Sequence, residues 1–227
     1  MQSRLTPLYQ QYHIHHPNLN AHYFKFIDTK EKAYWLGFLC ADGYISKTRY
    51  GRMGIKLSMK DKEHLIMFCK AIGLNPLSIR EREEVKEYKG KFIKYKIAEI
   101  DFWCKPMYED LKHLKFKKFP KLSSYGPYLA WLLGLYDGDG YQGKTMVCSA
   151  SNNLLMEIKS YFNIEYEIRD YYYDDYLDYY LRNIEGIKID NSSRFLYVLT
   201  LGSQLFNKMM KNYENSLKRK RRTFNIT

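Results

Sequence analysis

Two stretches of this 227-residue chain nearly repeat one another: WLGFLCADGY at 35–44 and WLLGLYDGDGY at 131–141. Each is a run of large apolar residues that stops on aspartate and glycine, and Asp42 and Asp139 stand 97 positions apart. A repeat of that length constrains the fold strongly, because each copy must bury the same kind of face. A helix C-terminus carries partial negative charge, so an aspartate there costs about 0.3–1 kcal/mol. For one copy, an Asp-Gly turn with glycine in a left-handed cap is explanation enough. Two copies point elsewhere. Gly37 and Ala41 lie four apart, as do Gly134 and Gly138, and small residues so spaced clear a strip for close helix approach. Trp35, Leu36, Phe38, Leu39, Trp131, Leu132, Leu133 and Leu135 surround the two strips. Helices packed along them end side by side. Their carboxylates then converge, an arrangement that needs cations, most naturally hard divalent ions with oxygen ligands.

The segments after each copy also repeat. MGIKLSMKDKEHLIMFCKAIGL, LSIREREEV, KFIKYKIAEI and CKPMYEDLKHL answer to TMVCSASNNLLMEIKSYFNI, EYEIRDYYY, RFLYVLTL and SQLFNKMMKNYE. Each copy reads as helix, strand pair, helix, strand pair, helix, an α+β chain. Helical apolar spacing covers 61–73 and 152–162, ending near Gly73 and Asn163. Asp28 with Glu31 suits a capping box, and Pro127 suits a first helical turn. Period-two alternation sets Met53, Ile55 and Leu57 against Arg52, Lys56 and Ser58, and Ile93, Tyr95 and Ile97 against Lys94 and Lys96. The expectation is a sheet with one apolar and one basic face. The organisation expected is an N-terminal arm at 1–27, half-domains at 28–120 and 121–215, and a basic tail at 216–227.

The charge fits an anionic partner. Thirty-seven Lys and Arg against 25 Asp and Glu leave +12, with a pI near 9.3. Such a surplus favours nucleic acid, with Lys- and Tyr-rich surface solvation as the plainer alternative. Nearly all of it falls in residues 1–120. Cys40, Cys69, Cys104 and Cys148 are far apart, with no zinc-like spacing, and read as reduced thiols of an intracellular protein. No apolar run is long enough for a membrane span and no signal-peptide core is present, so no membrane partner is expected. HIHHP at 13–17 reads as part of a flexible arm rather than a metal site, because no acid or cysteine accompanies it. KRKRR at 218–222 reads as an added phosphate-binding tail or a disordered one. The acidic, tyrosine-rich stretch at 170–190 either packs on the other half or forms a long hairpin.

Trp35–Gly43 (WLGFLCADG) and Leu132–Gly140 (LLGLYDGDG) resemble the nine-residue LAGLIDADG motif of homing endonucleases. The likeness covers most of the chain, since the element order matches the family's single-chain form. It implies two pseudo-symmetric αββαββα half-domains forming a DNA-binding saddle, with the motif helices at their interface. Cys40 departs from the motif, standing where its first acid would be. The metal-binding acid implied is the second, which is Asp42 and Asp139, with the carbonyls of Ala41 and Gly138 also within reach of metal. The resemblance further implies Mg2+ as cofactor, with Mn2+ as a substitute, and double-strand cleavage leaving 3′ overhangs. The implied partner is a long asymmetric duplex site bound by a monomer.

The family often places a lysine or glutamine beside each cleavage centre. Lys60 occupies that place in the first copy, unless it is an ordinary surface lysine opening a helix. Ser151 aligns with it in the second copy, leaving Gln142 and Lys144 as substitutes. DNA contacts are expected from Arg49, Arg52, Lys56, Arg80, Arg82, Lys91, Lys94 and Lys96, and from Lys144, Arg169 and Arg194. The competing reading is an RNA-splicing maturase, with intron RNA as partner, or an inactive DNA binder on the same scaffold. An initial Met and an ending without His-Asn speak for a free-standing, intron-encoded protein over an intein.

Overall fold

Helix and strand alternate much as the repeat implies, and the strands form two antiparallel sheets. The structure is a computed structural model and describes residues 16–46, 51–88, 91–172 and 195–225. The first copy runs α1 (Lys30–Asp42), β1 (Gly43–Ile45), β2 (Arg52–Ser58), α2 (Lys62–Ile72), β3 (Arg80–Tyr88), β4 (Lys91–Trp103) and α3 (Lys105–His113). The second runs α4 (Tyr125–Asp139), β5 (Met146–Ser149), α5 (Asn152–Tyr161), β6 (Arg169–Tyr172), β7 (Phe195–Thr200) and α6 (Ser203–Asn212). Where the first copy has β1, the second has a single bridge between Gly140 and Val147.

The helix ends expected at Gly73 and Asn163 are where the chain turns. Both residues have positive φ, 75° and 50°, and the Gly73 N–H closes α2 on the carbonyls of Cys69 and Lys70. At the start of α1 the expected capping box is absent. Thr29 caps instead, its hydroxyl accepting from Lys32 N–H at 3.2 Å, while Asp28 pairs with the Lys32 ammonium at 2.9 Å. The third helical position holds lysine, which cannot reach back as a Glu would.

The chain divides into two compact units, one of the described residues up to Phe26 with Asp42–Lys115, the other of Ile27–Ala41 with the described residues from Phe116 on. In the first, the sheet order is β1-β2-β4-β3. Met53, Ile55 and Leu57 of β2 lie on one face with Ala98, Ile100 and Phe102 of β4. All six are buried, as are Leu65, Phe68, Cys69 and Ile72 of α2 and Met107 and Leu111 of α3. The end of the expected N-terminal arm belongs to this core. Leu19, Tyr23 and Phe24 are buried, and Asn20 N–H donates to the Ile72 carbonyl at 2.9 Å.

The second unit is built on α1 and α4. Every residue from Ala33 to Cys40 and from Pro127 to Asp137 is buried, so neither helix presents a wet side and both run through an interior. Around them stand the sheet β5-β7-β6 and the buried faces of α5 (Leu154, Leu155, Ile158) and α6 (Phe206, Met209, Met210). The basic tail, read above as phosphate-binding or disordered, is folded in, with Lys218–Lys220 forming a 3-10 turn. Among the described residues, no helix is long and apolar enough to cross a membrane.

Candidate functional site

The small-residue strips bring α1 and α4 together. A methyl group built on Gly37 would lie 1.9 Å from the Trp131 carbonyl oxygen and 3.0 Å from Leu135 N. One built on Gly134 would lie 2.0 Å from the Tyr34 carbonyl oxygen and 2.7 Å from Phe38 N. Shifting Tyr34, Gly37 and Phe38 by the repeat length gives Trp131, Gly134 and Leu135, so the contact is reciprocal. The ends of the two helices lie within electrostatic reach of each other. Burial pushes the Cys40 thiol up to about 12, Lys117 pulls it down, and the Asp139 carboxylate pushes it further up. Cys40 on α1 thus feels the charge at the end of α4.

Each helix end is tied by a lysine that sequence reasoning missed. The Lys117 ammonium donates to the carbonyls of Leu39 (3.3 Å), Cys40 (2.7 Å) and Ala41 (3.3 Å). The Lys220 ammonium donates to those of Tyr136 (3.1 Å), Gly138 (3.3 Å) and Gly140 (2.8 Å). Cations at a helix C-terminus offset the macrodipole and occupy carbonyls that have no partner inside the helix. No left-handed glycine closes α4, because Gly140 is extended at φ −83° and ψ 149°. Lys220 closes it instead, and it is 4 % exposed. Its neighbours in KRKRR are engaged too. Arg221 donates to the carbonyls of Met210, Tyr213 and Glu214 at the end of α6, and Arg219 donates to the Gln142 side chain at 3.1 Å.

Asp137, the first acid of the second motif, points inward. One of its oxygens accepts from the Tyr34 hydroxyl and from Leu217 N–H, both at 2.7 Å. Its other oxygen is buried without a hydrogen-bond partner. Burial pushes its pKa up to about 6 against the pull of those two donors and of Lys220. Asp137 therefore fastens α4 to α1 and to the C-terminal segment, a role Cys40 cannot mirror in the first copy.

Asp42 and Asp139 are the last residues of their helices. Asp42 is partly covered and Asp139 is exposed. Among the described residues no group of three or more His, Cys, Asp or Glu is placed to hold a metal ion. Each helix end does offer a carboxylate and a carbonyl, Asp42 with Ala41 and Asp139 with Gly138. Such hard oxygens suit a cation that keeps water ligands and takes others from a phosphate. Lys60 is exposed in a 3-10 turn, Met59–Asp61. Ser151 is a helix cap, its hydroxyl accepting from Leu154 N–H at 3.3 Å. Lys144 is exposed, and its carbonyl accepts from the Tyr136 hydroxyl at 3.1 Å.

The expected basic sheet face is corrected in two respects. First, Lys94 and Lys96 project on the side of Ala98, Ile100 and Phe102, where the core covering stops and both are exposed. Register puts Arg52, Lys56, Arg80 and Arg82 on the opposite face, with Tyr95, Ile97, Glu99 and Asp101. Second, that face is not bare base. It carries one continuous row of alternating charge. Lys56 pairs with Glu84, Glu84 with Arg82 at 2.9 Å, Arg82 with Glu99 at 2.9 Å, and Glu99 with Arg80 at 3.1 Å. Arg80 reaches Asp101 at 3.3 Å, and Asp101 takes a two-pronged bond from Arg52 at 2.6 and 2.8 Å. Burial raises the Asp101 and Glu84 pKa values, but hydrogen bonds from Arg52 and Tyr44, and from Lys56 and Tyr95, outweigh it and hold both low. Arg169 is exposed on β6. Arg49 and Arg194 lie outside the described residues, as does the side chain of Lys91.

No family model and no curated protein matches the chain. Among solved structures, the homing endonuclease I-WcaI bound to its DNA recognition sequence is similar at a TM-score of 0.46 and 10% identity. The alignment covers 92% of this chain and 88% of that one. At that distance, what the neighbour binds is a property of the neighbour.

Proposed function

We propose that the chain is a site-specific double-stranded DNA endonuclease of the LAGLIDADG homing type, intron-encoded, acting as a monomer on a long asymmetric site with Mg2+. The observation that carries this reading is the reciprocal seat of Gly37 and Gly134. It packs the two motif helices so that the end of one feels the carboxylate of the other. In this reading Asp42 and Asp139, with the carbonyls of Ala41 and Gly138, would hold hard divalent cations. A divalent cation so bound supplies charge neutralisation at the phosphodiester and a water of lowered pKa. The chain's own part is positional. Lys117 and Lys220 hold the backbone from which the two acids project, and they bring a positive group to each centre beside the part that the resemblance assigns to Lys60, Gln142 and Lys144.

The test begins with duplexes that the protein itself selects from a randomised DNA library in EDTA, followed by addition of Mg2+. Wild type is expected to cut the selected sequence on both strands, leaving 3′ overhangs. Asp42→Asn and Asp139→Asn are expected to bind it without cutting. Equal cutting by all three proteins overturns the site, and binding without cutting by wild type overturns the nuclease.

A further inference from the structure

The stretch that joins the two repeats is one-sided in charge. Residues 111–136 include Lys112, Lys115, Lys117, Lys118 and Lys121 and no acid, with Phe116, Phe119 and Tyr125 set among and just after the lysines. This joining stretch and α5 enclose a cleft of about 390 Å3, whose lining includes Lys117, Lys118, Ser151, Asn153, Met156 and Glu157. Asn153 and Glu157 are four residues apart on α5, and Tyr161 comes four residues later on the same face. Past Glu157 the cleft therefore runs onto aromatic rings. The centroid of Phe119 stands 5.4 Å from that of Tyr161, and Tyr125 stacks on Tyr161 at 6.5 Å with the planes 22° apart. Tyr128, itself buried, backs Tyr161 at 4.1 Å. Tyr125 and Tyr161 are 47% and 38% exposed. Rings fixed from behind and open in front present a stacking face that costs little further ordering to use.

We infer, resting on the nuclease reading above, that this cleft holds the unpaired end of a DNA strand after it is cut. Single-strand grooves combine lysines that follow the phosphates with aromatic faces on which bases stack. Lys118 supplies the first of these here, and Tyr161 and Tyr125 supply the second. A duplex keeps its base faces stacked inside, so only an unpaired end can use the rings. Position favours a product end over another single strand. Lys117, at the head of the cleft, donates to the carbonyl of Ala41, the residue before Asp42. From Asn153 to Tyr161 the helix rises about 12 Å, the reach of a short overhang. An apolar peptide is the poorer occupant, because it leaves the lysines of the joining stretch unanswered. Glu157 opposes phosphate and so limits affinity, which suits a site that must let its product go.

The test uses the full chain in EDTA with three synthetic forms of the selected duplex: uncut, cut with 3′ overhangs, and cut with the overhangs removed. Wild type is expected to bind the overhang product about ten-fold more tightly than the blunt one. Tyr161→Ala and Lys118→Ala are each expected to erase most of that difference and to bind the uncut duplex as wild type does. Tyr161→Phe keeps the ring face and is expected to keep the preference, which separates stacking from folding. In Mg2+, Tyr161→Ala is expected to make its first cut at the wild-type rate and to release product sooner. Equal binding of blunt and overhang products by wild type overturns the inference. So does a Tyr161→Ala protein that weakens cut and uncut DNA alike. An RNA strand that displaces a DNA strand of the same sequence from the cleft overturns it as well, by showing a different partner. If wild type cuts no selected duplex, the nuclease reading falls and takes this inference with it.

Discussion

Gly37 and Gly134 occupy equivalent seats, each pressed on a carbonyl of the other helix at a distance that leaves no room for a methyl group. The atoms they meet are backbone, which cannot swing aside as a flexible side chain would. Gly37→Ala or Gly134→Ala should therefore destabilise the protein by about 3 kcal/mol or more. Denaturant unfolding of each single variant measures the effect. A loss under about 1 kcal/mol for both would show that the helices do not need this approach.

Asp137 should make stability depend on pH. Its folded pKa of about 6 lies above the ordinary aspartate value of 3.8. Its contribution is therefore complete only below pH 3.8 and is lost as pH rises from there through 6. Asp137→Asn keeps an acceptor for Tyr34 and Leu217 while removing the buried charge, so it should flatten that profile. Relative to wild type, it should gain about 2–3 kcal/mol between pH 4 and pH 7. Asp137→Leu strands two buried donors and should cost about 1–3 kcal/mol for each. Parallel pH-dependent melts of both variants decide this.

Lys117 and Lys220 make similar bonds at different depths. Lys220 is buried, so Lys220→Met should cost about 2 kcal/mol through three stranded carbonyls. The Lys117 side chain is exposed at its helix end, and Lys117→Met should cost under about 1 kcal/mol. Both should slow cutting of the selected site, because both loosen the backbone under an acid. Unfolding curves and single-turnover cleavage, measured on the same preparations, separate the two effects.

The thiols should be silent in the folded protein. Burial pushes Cys40 and Cys69 up to about 12 and Cys104 up to about 11, and Cys148 is buried as well. At pH 8 a thiol-disulfide reagent should find no fast-reacting group until denaturant is added, when all four should react. A rapid stoichiometric reaction of the native protein would contradict the burial of these thiols.

Some of this is legible in the residue order for identifiable reasons. Apolar residues on every side of 33–40 and 127–137 leave a central helix as the natural outcome, and Gly73 and Asn163 mark turns that few other residues tolerate. The sheet misleads because alternation says which residues share a face, not which face is covered. Ile93 and Tyr95 look like core, yet register puts them on the open face with Glu99 and Asp101. The acids of the charged row are hard to weigh because their partners are distant in sequence. Glu84 meets Lys56 from 28 residues away and Asp101 meets Arg52 from 49. Lys117 and Lys220 sit inside lysine-rich runs, and nothing local separates a lysine bound for a helix end from one bound for water.

The second unit takes its first helix from residues 27–41 and everything else from beyond residue 115. During synthesis, α1 leaves the ribosome long before any surface exists to cover it, and Lys220 emerges some eighty residues after the helix it closes. A nascent chain must therefore carry an uncovered greasy helix through most of its own translation. Severing the gene between the repeats would strand that helix on the fragment lacking its packing partner.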